Sequence, residues 1–120
     1  MMINKIPYVK LLEEAKNVPI LELRADDNEE VEFVLKVGEL EKLGTLLQSF
    51  FGEPVKPKGQ APSKEAEVLT EPFGGIRDNQ TLYHTKYNGR SCFAMIWPWG
   101  DGKLATVKIF REKNPLLDGK

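Results

Sequence analysis

The 120-residue sequence carries 17 Lys and Arg against 18 Asp and Glu, one histidine and one cysteine, for a formal net charge of -1. That balance supplies no global field for nucleic acid or an anionic membrane, and the single Cys92 excludes a disulfide framework or a cysteine-rich metal site within one chain. A hydrophobic fraction of 41% and a charged fraction of 29% are ordinary for a globular chain, and the length suits one domain, 1–120, around one core.

No apolar run approaches the roughly 20 residues needed to cross a bilayer, and charges and proline break the first 17 residues, so no signal-peptide core is expected there. With one cysteine, the reading is a cytoplasmic chain. Residues 5–16 read as a helix, because Ile6, Val9 and Leu12, with Leu11 and Ala15 beside them, recur at helical spacing. Pro7 is tolerated in a first turn, and Asn17 and Pro19 stop the run. Residues 20–24, "ILELR", read as a short strand. At 29–37, "EEVEFVLKV" alternates strictly apart from Val34, with Val31, Phe33, Leu35 and Val37 on one side and charged residues opposite. A hairpin around Asp26, Asp27 and Asn28 joins the two strands.

A second helix is expected over about 39–51, where Leu40, Leu43, Leu47 and Phe50 form a stripe that Leu46 widens. Gly44 weakens it by about 1 kcal/mol relative to alanine, and Gly52 and Pro54 end it. The Pro/Gly-rich stretch at about 52–75 reads as a long exposed connector, part of it disordered, with one short ordered piece at 66–69. Its lysines and glutamates read as solvated.

From Thr81 the pattern becomes a three-stranded meander. "TLYHTKY" leads into Asn88-Gly89, the strongest two-residue hairpin signal, since a type I′ turn needs positive φ at both positions. "RSCFAMIWPW" then leads into a turn at "GDGK", with Asp101-Gly102 as its loop, and "LATVKIF" closes. The fold class is therefore α+β, a mainly antiparallel sheet of about five strands built from an N-terminal hairpin and a C-terminal meander, with two helices packed on one face.

Turn chemistry fixes register. It sets Tyr87 opposite Arg90, Thr85 opposite Cys92 and His84 opposite Phe93, then Trp99 opposite Leu104, Trp97 opposite Thr106 and Met95 opposite Lys108. One face then gathers Tyr83, Tyr87, Cys92, Ala94, Ile96, Ala105, Val107 and Ile109, a small and branched floor for the helices. The other carries Leu82, His84, Lys86, Phe93, Met95, Trp97, Trp99, Leu104, Thr106, Lys108 and Phe110. It is too aromatic for open water and too charged for a sealed core, a mixture typical of a surface covered by another chain, a loop or a ligand. Pro98 cannot donate to a ladder, so the central strand must bulge or end near it.

The expected role is a non-catalytic domain that self-associates or docks a protein partner, with Phe93, Trp97, Trp99, Leu104 and Phe110 as partner-binding residues and a homodimer as the favoured form. One alternative is single-stranded nucleic acid stacking on the same face, with Lys86, Lys108 and Arg90 near its backbone, which the net charge disfavours. Another is a small enzyme or anion-binding protein, in which Gly74 and Gly75 converge their amides on an anion, Arg77 adds a bidentate charge, and His84 serves as acid/base. Ordinary packing beneath the connector accounts for the tryptophans equally simply, and a tight turn accounts for the glycines. Cys92, mid-strand on the core side, reads as inert. The acidic cluster Asp26, Asp27, Glu29 and Glu30 lacks the spacing of a calcium loop. No cofactor, metal or membrane is expected.

Overall fold

Three hairpin turns and a central ladder arrange the strands. A computed structural model describes residues 6–112. Helix α1 (Tyr8–Ala15) is followed by β1 (Glu22–Asp26), β2 (Glu30–Lys36), a 3-10 turn at Val37–Glu39 and α2 (Leu40–Phe51). Helix α3 (Lys64–Thr70), a second 3-10 turn at Glu71–Phe73, and strands β3 (Thr81–Tyr87), β4 (Arg90–Pro98) and β5 (Leu104–Arg111) complete it. The five strands form one antiparallel sheet in the order β1-β2-β5-β4-β3. This is the expected α+β fold, with the N-terminal hairpin joining the meander through β2 and β5.

The turns set the register as their chemistry requires. Asn88 and Gly89 sit at φ 53° and 80°, and Tyr87 pairs with Arg90, Thr85 with Cys92 and His84 with Phe93. The β4–β5 connection takes residues 99–103, longer than a two-residue loop, and keeps the expected register. Trp97 pairs with Thr106, Met95 with Lys108, and the Trp99 N–H donates to the Leu104 carbonyl at 2.8 Å. Because that N–H turns toward β5, the Pro98 nitrogen turns toward the opposite side. There β3 has already stopped, at Thr81 opposite Ile96, so the missing donor breaks no ladder bond.

On one side of the sheet, α1 and α2 pack Leu11, Leu12, Leu43, Leu47 and Phe50 against Phe33, Ala94, Val107 and Ile109. Each aliphatic or aromatic side chain buried here stabilises the fold by about 1.5–3 kcal/mol before conformational entropy is charged. Cys92 is buried on this same side.

On the opposite side the connector returns across the sheet. Its Val55 and Lys56 N–H groups donate to the Leu82 carbonyl, and the Leu82 N–H donates back to Lys56, extending the sheet by one bridge beyond β3. The ordered piece expected at 66–69 is the centre of α3, which starts where the Ser63 hydroxyl accepts from the Ala66 N–H at 3.1 Å. Ala66 lies over Leu82, Phe93, Met95 and Phe110, with Val55, Leu69 and Ile76 around it. The face carrying α1 and α2 is thus covered except at β1, where Leu23 is half exposed, while the reverse is covered over β3, β4 and the Phe110 end of β5.

Candidate docking surface

The aromatic face divides into a sealed half and an open half. Phe93 and Phe110 stack at 5.0 Å with planes 14° apart, and Phe73 from the connector stands edge-on to both at 5.2 and 4.9 Å. They are only 4% and 6% exposed. The expectation that both meet a partner is corrected here, because the chain's own connector already buries them.

Trp97 and Leu104 are partly buried and Trp99 is 37% exposed. The Trp99 indole N–H donates to the Thr106 hydroxyl at 2.9 Å, and the Arg24 guanidinium of β1 lies 5.9 Å from its ring centroid. That places the ring across β5 toward β1. Val34, paired with Thr106 on this side, is 2% exposed. The one break in the alternation of β2 is therefore a residue buried from the second face. Around the indole, strand pairing sets Glu22, Glu32, Lys36 and Lys108 on this same face. A shallow groove of about 580 Å³ lined by Lys36, Val37, Asp101, Lys103 and Leu104 adjoins it at the end of β2 and β5.

The edge of the sheet beside this strip is unusually apolar. Leu21 and Leu23 are 54% and 48% exposed, and β1 is an outer strand. Sequence reading placed both in a strand without registering that the strand would be an edge. Their alternation with Glu22 and Arg24 was the signal.

The residues of the alternative readings are engaged elsewhere. The Gly74 N–H donates to the Glu71 carbonyl at 3.2 Å and the Gly75 N–H to Thr70 at 2.8 Å, with φ of 96° and 84°. The glycines close the C-terminal end of the α3 segment, so their amides do not converge on an anion. The open groove beside them, about 600 Å³, has Glu67 and Glu71 as its charged lining, which repels one. Arg77 is exposed, with its N–H bound to Gln80 Oε1 at 2.8 Å. The anion-binding set of Gly74, Gly75 and Arg77 is thus corrected to a helix terminus and a turn.

His84 packs against Phe93 at 5.0 Å with its Nε2 buried and unpartnered. Burial pushes its pKa down, opposed by the nearby Glu65 carboxylate. It lacks the oriented hydrogen bond an acid/base requires. Arg90, assigned above to a nucleic-acid backbone, instead donates to Glu29 Oε1 at 2.8 Å and to the Glu112 carbonyl. The Lys108 ammonium lies 5.1 Å from the Phe110 ring.

In the acidic turn, Asp27 Oδ1 accepts from the Glu29 and Glu30 N–H groups, Asp26 binds Lys16, and Glu29 binds two arginines. No group of three potential ligands among the described residues is placed to hold a metal ion. No helix among them is long and apolar enough to cross a membrane.

No family model matches the chain, and neither a curated protein nor a solved structure matches it.

Proposed function

We propose that this chain is a non-catalytic binding module that self-associates through the open half of its second sheet face, with Trp97, Trp99 and Leu104 as its apolar centre. The observation that carries this reading is the state of Trp99. Its ring is more than a third exposed, yet it is held in place by Thr106 on one side and Arg24 on the other. An aromatic ring fixed before contact loses little rotamer freedom on docking, and tryptophan and arginine are the residues that dominate interface energetics. The surrounding charges, Glu22 and Glu32 against Lys36 and Lys108, supply both signs for a polar rim. A reducing cytoplasmic setting suits a chain whose one thiol is buried.

Sedimentation of the full chain from low micromolar to submillimolar concentration tests this. A reversible monomer–dimer equilibrium is expected, and Trp99→Ala should weaken it by about tenfold, or about 1.4 kcal/mol, with an unchanged circular dichroism spectrum. A monomer at every concentration overturns the reading.

A further inference from the structure

We infer that the partner is a second copy of this chain joined edge to edge through β1, so that two five-stranded sheets become one continuous sheet. This rests on the self-association reading above for its occupant, and sets the contact at the β1 edge, where Arg24 meets the Trp99 ring, rather than over Trp97 and Leu104. An outer strand presents a row of N–H and C=O groups for pairing with another strand. The two outer strands here are not equivalent. On β3 the outer side is taken at Leu82 by the Lys56 bridge. On β1 no strand covers the outer side among the described residues, and two half-exposed leucines flank it. Pairing of β1 with its own copy uses the same patch on both molecules and so closes a two-fold dimer.

Among axes through Glu22, Leu23 and Arg24, the sequence of β1 favours one register. A two-fold axis perpendicular to an antiparallel sheet passes through a residue that faces its own copy. An axis through Arg24 would set Arg24 against Arg24 and Glu22 against Asp26, and one through Glu22 would set two carboxylates together. An axis through Leu23 sets Leu23 against Leu23 and Glu22 against Arg24 twice over, while the bulge turns Ala25 to the face of Glu32, away from Leu21. Glu22 and Arg24 already share a face, since they form a 3.2 Å ion pair within the strand. In the dimer that pair exchanges across the axis, beside the Trp99 ring on which Arg24 leans. Opposite charges directly across a ladder stabilise it and like charges oppose it. The Leu21 N–H is already donated to the Val34 carbonyl and the β1 ladder is irregular between Leu23 and Ala25, so pairing centres on residues 22–24 and gives an interface at the small, rapidly exchanging end of the range.

Sedimentation of charge-swapped variants of the full chain decides it, with circular dichroism and tryptophan fluorescence confirming that each stays folded. Glu22→Lys should weaken the dimer at least tenfold by setting Lys against Arg24. Adding Arg24→Glu to it should restore the dimer, because the strand is self-complementary again with its signs reversed. Leu23→Lys should abolish dimerisation, and if that variant does not fold, the swap at the two exposed charges still decides. A dimer that Trp99→Ala loosens but the swap leaves unchanged overturns the edge pairing alone. A monomeric parent overturns both the pairing and the reading beneath it.

Discussion

Lys56 is 1% exposed, and its ammonium ends among three backbone carbonyls, those of Pro57, Asp78 and Gln80, at 2.5–2.9 Å. All three of its protons are thereby donated without a carboxylate, an arrangement that ties the start of the connector to its end. Burial pushes its pKa below that of a free lysine, and the Asp78 charge opposes the shift. Lys56→Met keeps the aliphatic stem but leaves three carbonyls without that donor. The expected cost is about 2–3 kcal/mol, the range for truncating a buried charged hydrogen-bond partner. It should appear as a lower midpoint in urea with an unchanged slope. A midpoint within experimental error of the parent would show that the connector does not depend on this anchor. In the sequence this lysine is indistinguishable from its neighbours in a Pro/Gly-rich stretch, where charges ordinarily face water. Its burial depends on carbonyls more than 20 residues away. Val34 was legible in part, as the one break in an otherwise strict alternation, but what would cover it was not.

At the scale of elements, the turns were the most informative signals because they act locally. Asn88-Gly89 dictates a turn type, the turn dictates a register, and the register assigns every side chain of β3 and β4 to a face without any knowledge of the rest. The helix within the connector was harder to read. Its Ser63 cap was present, but the seven residues that follow are too few to show a clear period, and α3 is stabilised by what it covers. Gly44 offers a test of how far local propensity governs α2. A Cβ added there would meet only the Tyr83 hydroxyl, at 3.9 Å, an ordinary contact. Gly44→Ala should therefore stabilise the protein by about 0.5–1 kcal/mol, from the lower backbone entropy of the unfolded chain. Thermal denaturation would show a rise in Tm of several degrees for a domain of this size. An unchanged or lowered Tm would mean that α2 and Tyr83 have no room for a methyl group.

For the whole molecule, the sequence showed that the sheet has two unlike faces but not how the second would be shared. That outcome depends on long-range packing of Val55, Leu69, Phe73 and Ile76, which follow no period. The end of the molecule bearing the β1–β2 turn is held by charges that are equally scattered in sequence. Arg111 makes paired bonds to Glu29 at 3.0 and 2.9 Å, Arg90 binds the same carboxylate at 2.8 Å, and the Tyr8 hydroxyl donates to the Glu29 carbonyl at 2.7 Å. The Arg111 guanidinium also stacks 4.5 Å from the Tyr8 ring. One glutamate so joins α1, the β1–β2 turn, β4 and β5. The hydrogen bonds from Arg111, aided by Arg90, hold its pKa below the ordinary carboxylate value. A lowered folded-state pKa means that the unfolded chain binds the proton first as pH falls. The stabilisation is therefore complete above the ordinary carboxylate range, declines through it, and is gone below the folded-state value. Because the Glu29 side chain is 53% exposed, the contribution is discounted to about 0.5–1 kcal/mol at neutral pH. Glu29→Gln should lower stability by that amount at pH 7, and the gap between parent and variant should close as pH falls below about 4. Urea titrations at a series of pH values would show it, and a gap that stays constant into acid would mean that the carboxylate's charge is not what holds the four segments together.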